Sequence, residues 1–422
     1  MTRFDARGCA VSGATANALD AWELALADVL AWRAGADARL EAVVAEAPDF
    51  VMARVLEAWL LLAGRDPARA RRARPVLERA RRLRANTRER AHLAAIGAML
   101  NDEYERAKTG LAALLRAQPR DVLALHVAQG LDYLTGDVDA LAARPALVRP
   151  HWSPSMPGFH AVLAMHAFGL EERDDLRPAE RLAHEALRLD RRDARACHVI
   201  AHVHEATGRA AAGERWLCAH AGAWANGTVV ATHAWWHVAL FQLEQKRPGT
   251  ALATYDAHVR PAPHAPISDL LDGSALLWRL QLADVDAHAR WHELADAWSP
   301  HIDDRFCTFN DVHAMLAFVG AGDHRRADRL ERTLRAAAAQ PSRHGDTTRQ
   351  IGLPACRAVR AFARGDDARA LALLASLPPV AHRIGGSHAQ RDVLNLTLQR
   401  VVQRLRRMRP PARAAVTASV AA

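Results

Sequence analysis

A break in the apolar pattern recurs along the chain at nearly constant intervals. Each break has a small or polar pair such as Gly-Asp, an alanine about five residues later, and then a Leu-rich stretch. Successive breaks are 34, 38 or 43 residues apart, and they fall at Gly64, Asp102, Gly136, Asp174, Gly208, Lys246, Asp284, Gly322 and Gly365. A period of this length is typical of stacked helical hairpins, none of which can bury a core alone. The period therefore predicts one continuous array rather than several domains.

The residues between the breaks favour helices. Ala, Leu, Arg and Glu dominate, and apolar residues recur at three- and four-residue steps, whereas runs of β-branched residues are rare. The sequence thus predicts an all-α fold, a right-handed superhelix of about nine hairpins of the tetratricopeptide (TPR) type, which is an α-solenoid. We expect the solenoid to cover residues 19–408, with disordered segments at 1–18 and in the Pro-Ala-rich tail 409–422.

The positive charge of the chain is concentrated rather than spread. The formal net charge is +9, and residues 65–90 alone contain 11 arginines against Asp66, Glu78 and Glu89. The same segment has no Phe, Tyr or Trp on which a nucleic-acid base could stack. We therefore expect these arginines to solvate the outer faces of amphipathic helices, away from any site, and nucleic acid is not the expected partner.

Cysteine usage and hydropathy indicate a compartment. The five cysteines are scattered and form no CxxC pair, which argues against a disulfide framework and fits a reducing cytosol. No run of about 18 apolar residues occurs, so no membrane-spanning segment is predicted. The N-terminus has no apolar stretch of signal-peptide type, and the expected location is the cytoplasm.

Histidines mark the strongest candidate site. In the segment CHVIAHVHEATGR, helical geometry places His202 about 40° from His198 and Glu205 about 20° on the other side. These three residues form one polar stripe towards the concave groove, whereas His204 faces the packing side. Acid–base catalysis and ligand hydrogen bonding are both open interpretations of the stripe. Metal ligation by His198, His202 and Glu205 is the lesser alternative, because HExxH spacing is absent and no other helix offers an obvious partner motif. No cofactor is otherwise predicted.

Neighbouring first helices of the repeats are also polar, and stacking brings them around one groove. The candidate catalytic residues are His198, His202, Glu205, His237 and His313. The candidate ligand-binding residues are Glu171, His233, Trp236, Asp269, Trp278, Arg279, Asn310, Asp311, His388, Arg391 and Asp392. Simpler interpretations stay open: the tryptophans can pack in the core, Ser387 and Gln390 can form a capping box, and Arg391 can pair with Asp392.

Several of these segments together resemble the tetratricopeptide repeat protein 38 family. The matching pieces are MHAFGLEE (165–172), AHVHEATGR (201–209), HAWWHVALFQLE (233–244), LDGSALLWRL (271–280), FNDVHAMLAF (309–318) and HRIGGSHAQRD (382–392). The resemblance extends from about Asp20 to Arg404, and it implies a cytoplasmic helical repeat protein without a particular reaction. His160 departs from the family pattern, which tends to have a Tyr-rich start to that helix, and is a weaker site candidate than His202.

Two functions follow from the sequence. The first is a binding or scaffold protein whose His-rich groove holds a small ligand or a segment of a protein partner, the usual role of such arrays. The alternative is an enzyme on a solenoid, in which histidines and Glu205 perform acid–base chemistry, with or without a metal ion, and Arg391 binds a small anionic or polar metabolite. No GxSxG, Walker or Rossmann motif is present.

Overall fold

Antiparallel helical hairpins follow one another along the chain. The computed structural model describes residues 3–263 and 266–408. Its first four hairpins pair α1 (Ala16–Leu30) with α2 (Ala36–Glu46), α3 (Val51–Ala63) with α4 (Pro67–Arg81), α5 (Thr87–Leu100) with α6 (Tyr104–Ala117), and α7 (Val122–Thr135) with α8 (Val138–Val148). The middle of the chain contains α9 (Phe159–Glu171) with α10 (Leu176–Leu189), α11 (Ala194–Ala206) with α12 (Ala210–Ala219), the short α13 (Ala221–Trp224), and α14 (Ala231–Glu244) with α15 (Pro248–Thr254).

The C-terminal part continues the same pattern. It contains α16 (Ile267–Leu282) with α17 (His288–Trp298), α18 (Thr308–Gly320) with α19 (His324–Ala338), the short α20 (Arg343–Thr347), α21 (Leu353–Ala363) with α22 (Asp367–Leu374), and α23 (His388–Met408). Two-residue strands, β1 (Arg3–Phe4) and β2 (Ala10–Val11), pair antiparallel before α1. The predicted all-α repeat solenoid is confirmed. Its hand and its number of repeats stay predictions, and none of the described helices is long and apolar enough to cross a bilayer.

The recurring breaks are the turns that end the first helix of each hairpin. Eight of the nine break residues have a left-handed backbone, with φ between 60° and 76°: Asp102, Gly136, Asp174, Gly208, Lys246, Asp284, Gly322 and Gly365. A left-handed residue just after a helix lets its backbone N–H bond to the last carbonyls, which ends the helix and reverses the chain. Gly64 is the exception, with an extended φ of −79°.

The N-terminal segment is folded rather than disordered, contrary to the expectation for residues 1–18, of which 1–2 lie outside the described residues. Asp5 and Cys9 are buried, and α1 already begins at Ala16. The guanidinium of Arg88 lies 3.2 Å from Asp5 and 2.7 Å from Asp121. Arg88 is therefore an interior ion-pair partner and not one of the solvating arginines that the sequence predicted over 65–90. The predicted tail 409–422 also lies outside the described residues.

Two contacts join repeats that are distant in the sequence. On one side the backbone N–H of Ala34 donates to Gly227 O at 2.9 Å. On the other side the Tyr133 hydroxyl donates to Gln390 Oε1 at 2.7 Å. Gly136 approaches so closely that a Cβ added to it would lie 1.8 Å from His382 O. We call this second contact, between α7 and residues 381–390, the seam. The seam therefore joins the fourth hairpin to the segment at the start of α23, which is more than 240 residues away in the sequence.

Candidate functional site

Two helices present histidine pairs to each other. His198 and His202 lie one turn apart on α11, and His233 and His237 lie one turn apart on α14. Residues four apart lie on the same face of a helix, so each helix contributes a matched pair. One ring nitrogen from each of the four side chains lies within 4.8 Å of the others. We call these four residues the histidine cluster.

The Nε2 atoms meet at the centre of the cluster. His198 Nε2 lies 2.9 Å from His202 Nε2 and 3.1 Å from His233 Nε2. The edge of a tetrahedron with metal–nitrogen bonds of about 2.0 Å is ~3.3 Å, close to these separations. His237 Nε2 is buried and has no hydrogen-bond partner among the described residues. Two of the nitrogen–nitrogen separations therefore fit a cage for one metal ion, and the others lie within 4.8 Å.

Carboxylates hold three of the four rings by the opposite nitrogen. His202 Nδ1 lies 3.3 Å from Glu171 Oε1, and His237 Nδ1 lies 3.2 Å from Glu205 Oε2. His233 Nδ1 lies 2.9 and 3.0 Å from the two oxygens of Asp272. A carboxylate accepts the Nδ1 proton, so each of these three rings, in its neutral form, carries a lone pair on Nε2.

These lone pairs create a surplus of acceptors. A neutral His198 has one ring proton, so its Nε2 can donate to only one of the two Nε2 atoms that it approaches. The other close contact then sets lone pair against lone pair, with the free Nε2 of His237 beside them. A bound cation would remove this conflict, because each Nε2 would become a ligand while the Nδ1 atoms of His202, His233 and His237 donate to carboxylates. The Nδ1 of His198 is buried and has no hydrogen-bond partner among the described residues.

The surroundings favour the uncharged form of two of the four imidazoles. Burial, followed by the neighbouring imidazoles, holds the pKa values of His198 and His237 well below their ordinary range. For His233 burial acts in the same direction, but the Asp272 carboxylate outweighs it and raises the pKa. Neutral imidazole is the form that binds a metal ion. The cluster is therefore prepared for ligation rather than for carrying several protons.

Aromatic rings enclose the cluster. Trp236 stacks on His233 with ring centroids 5.1 Å apart and meets His237 edge-on at 5.0 Å, and the guanidinium of Arg279 lies 5.2 Å from its centroid. Trp32 and Phe168 lie 5.5 and 5.9 Å from the ring of His198. The side chain of His233 is 16% exposed, while those of His202 and His237 are fully buried, so solvent reaches the cluster on the side of His233.

A charged group lies beside the cluster at the start of α23. His388 Nδ1 lies 3.2 Å from Glu171 Oε1 and 3.5 Å from Glu172 Oε1. Burial opposes the charge of His388, but these carboxylates outweigh it and raise its pKa to about 9. Burial likewise opposes the charge of Glu172, but His388 and Arg391 lower its pKa to about 2. The charge of His388 already balances the carboxylates, so we assign no second ion to this group, although its ligand atoms are close enough to hold one.

The capping-box interpretation of IGGSHAQRD is confirmed. The Ser387 N–H donates to Gln390 Oε1 at 3.2 Å, and the Gln390 N–H donates to Ser387 Oγ at 3.3 Å. Arg391 pairs with Glu172 at 3.2 Å and not with Asp392, and this correction leaves Arg391 less free to grip a substrate than the sequence suggested.

The predicted residues divide into two groups. Those in or against the cluster are His198, His202, Glu205, His233, His237, Glu171, Trp236, Arg279, His388 and Arg391. The others are held elsewhere. His313 Nδ1 donates to Phe309 O, Asn310 donates to Arg65 O, and Asp311 accepts from His344.

The remaining predicted residues also lie apart from the histidines. Asp269 accepts from Thr232 and Ser268. Trp278 is fully buried, and its Nε1 donates to Thr397, so it is a packing residue and not a ligand contact. Asp392 acts on Arg279 only through its charge.

The expected metal ligands need a correction. The trio His198, His202 and Glu205 does not form the cage, because Glu205 lies behind His237. The other two candidate ligands are His233 and His237 on α14, although the sequence analysis predicted no metal ligands from a second helix.

Sequence reasoning also missed Asp272, Glu172, Trp32 and Phe168. The repeat period could have found Asp272, which follows His233 by 39 residues and so occupies a nearly equivalent position in the next repeat. No known protein-family model matches the chain.

Proposed function

We propose that this protein is a metalloenzyme that holds one divalent transition-metal ion in the histidine cluster and uses it on a small polar or anionic metabolite. One observation carries the proposal: four imidazoles converge, and carboxylates fix the protons of three of them on Nδ1. Such carboxylate–histidine pairs orient ligands in metal sites and increase their basicity. Imidazole ligands suit Zn, Fe, Ni or Cu, and an all-nitrogen tetrahedral cage is most typical of Zn²⁺.

Catalysis needs a coordination position for water or substrate. The exposed edge of His233 is the side from which a fifth ligand can enter. A metal ion there polarises a carbonyl or phosphoryl oxygen, or lowers the pKa of bound water. His388, which is half-exposed and carries a proton at neutral pH, is placed to donate to a leaving group. Glu205 holds His237 and is 22% exposed, so it is accessible to a substrate as an acceptor.

A small ligand fits this interior better than an extended protein segment. A scaffold groove must admit a chain along its length, whereas the seam and the contact between residues 34 and 227 bridge the interior. The TPR type, the family resemblance and a cytoplasmic location complete the proposal as expectations from the sequence.

Metal content and turnover test the proposal together. We expect protein purified without chelators to contain about one equivalent of metal per chain. Chelation should abolish turnover in a panel of small amides, esters and phosphoesters, and return of the same metal should restore it. Absence of metal from the purified protein, together with no Zn²⁺ binding at micromolar concentration, would refute the metal site. Stoichiometric metal without turnover would favour a binding protein over an enzyme.

The Asp272 carboxylate, which holds His233, is expected to affect how tightly the metal binds. Replacement of Asp272 by Asn is expected to weaken metal affinity by about 10- to 100-fold, since the ring loses the charge that supports it. Asp269→Asn is the comparison on the same helix: Asp269 bonds to hydroxyl groups and acts on His233 only through its charge, without a hydrogen bond, so a smaller effect is expected. Competition titration with a chromogenic chelator measures both affinities. Equal affinities for the two variants would contradict the role of Asp272.

A further inference from the structure

A cavity lies at the seam, away from the histidine cluster. Its volume is about 50 Å³, and its polar lining includes Arg65, Arg343, Arg383, Asp102 and Thr308. These residues come from both ends of the chain: Arg65 follows α3, Asp102 follows α5, and the others begin α18 and α20 or precede α23. We call this space the seam cavity.

Its three arginines lack acidic partners. Within the described residues no carboxylate oxygen lies within 4.0 Å of the guanidinium of Arg65, Arg343 or Arg383. Other interior arginines, such as Arg88 and Arg144, do have such partners. The acceptors of Arg343 are the carbonyl oxygens of Thr135 and Arg383, at 2.9 and 3.0 Å. The acceptor of Arg383 is the side-chain oxygen of Gln350.

Arg65 is the least satisfied of the three. Its guanidinium lies 4.3 Å from the ring centroid of Phe309 and 5.4 Å from that of Tyr133. Its Nη1 has only the Cys307 sulfur at 4.0 Å, and its Nη2 is buried without any acceptor in the described chain. The two rings hold the guanidinium in place beside the cavity, where its charge has no acidic partner.

The cavity is therefore electropositive. Asp102 is the one acidic residue in its lining; its carboxylate accepts the backbone N–H of Arg343 at 3.1 Å, and burial raises its pKa. His344 is bound to Asp311. Partly buried positive charge is unfavourable unless an anion or hydrogen-bond acceptor compensates it. The fork of donors on arginine matches the oxygens of phosphate especially well.

We propose that the seam cavity binds a phosphate group, either as inorganic phosphate or as part of a small phosphorylated metabolite. A volume of 10–15 Å³ holds about one water, so about 50 Å³ accommodates roughly four waters, the size of a tetrahedral oxyanion but not of a nucleotide base. An anion in this cavity contacts Arg65, which follows α3, together with Arg343 and Arg383 from the C-terminal part of the chain. Binding thereby fastens the seam, and it does not depend on the metal proposal.

The test is a titration of the full chain with inorganic phosphate at constant ionic strength, followed by calorimetry and thermal unfolding. The wild type should bind one phosphate saturably and show a rising Tm. Arg343→Gln and Arg65→Gln should each weaken binding at least 10-fold, because each removes one charged fork. Arg71→Gln is the matched control: Arg71 lies exposed on α4 and has no ion pair in the described chain. It should bind phosphate like the wild type.

Further arms separate the possible results. Glycerol phosphate tests a metabolite source and acetate tests a general anion effect; we expect the first to bind and the second not to. Arg65→Lys keeps the charge without the fork, and Arg343→Gln decides the question if Arg65→Gln does not fold by circular dichroism. No saturable phosphate effect in the wild type, or equal weakening by Arg71→Gln, would overturn the proposal. Metal content measured on the same samples distinguishes this failure from failure of the histidine cluster.

Discussion

The double variant His198→Ala/His202→Ala is expected to lose its metal, from about one equivalent per chain to less than about 0.1. Both ligands from α11 disappear, and the pair on α14 alone cannot complete a four-coordinate site. Metal that binds only the folded state stabilises it by about 4 kcal/mol at 1,000 times the dissociation constant. The wild type should therefore show a large rise in Tm on addition of Zn²⁺ and the variant almost none, as measured by elemental analysis and scanning calorimetry.

A surface histidine pair provides the control for this experiment. His288 and His292 have the same four-residue spacing on α17, and both are exposed. His288→Ala/His292→Ala should keep its metal and its Tm rise. Because His198 and His202 are buried, the Tm of each variant is also measured with chelator, which separates loss of metal from loss of packing. Retention of a full equivalent by the α11 variant would disprove the cage.

The second large effect concerns stability. Asp121→Asn is expected to lower the free energy of unfolding by about 3–5 kcal/mol, the usual result of removing one partner of a buried ion pair. Asp121 is fully buried, lies 2.7 Å from Arg88 Nε and 3.0 Å from His92 Nε2, and caps α7. Asparagine keeps the cap, so the measured loss reports on the buried charge. Urea unfolding at pH 7 measures it.

The same pair predicts a pH dependence. Burial opposes the charge of Asp121, but Arg88 and His92 outweigh it and hold its pKa well below the ordinary range. A carboxyl with a lowered folded-state pKa stabilises the protein above its unfolded pKa of about 3.9, and this contribution is lost as pH falls towards the folded value. The difference between wild type and Asp121→Asn should therefore be full at pH 7 and shrink below about pH 4.

Asp366→Asn is the control for the buried charge. Asp366 caps α22 by the same side-chain bond, but it is exposed and has no ion pair among the described residues. We expect its replacement to change stability by less than about 0.5 kcal/mol. A similar loss in both variants would show that capping, and not the ion pair of Arg88, accounts for the effect.

Much of the site could be predicted from single helices. The stripe of His198, His202 and Glu205 depends only on the 100° turn per residue, and the structure keeps it. The partner of each ring could not be obtained this way. Glu171 lies 31 residues before His202, and Asp272 lies 39 residues after His233, so these contacts depend on how neighbouring repeats stack. The prediction that Arg65 and Arg88 face solvent was wrong for the same reason. The charge pattern of one helix does not show which residues of other repeats contact its ends.

The sequence by itself determined the hairpins, their turns and the faces that carry histidine, because each depends on local propensity and on spacing within a few residues. The tertiary structure decided that α11 and α14 face each other, with the Nε2 atoms of His202 and His233 both close to that of His198. It also decided that the chain closes at the seam, where Tyr133 meets Gln390 from 257 residues away. Whether the chain closes depends on the small rotation between each repeat and the next, added over many repeats. The spacing of the repeats in the sequence does not show the size of these rotations.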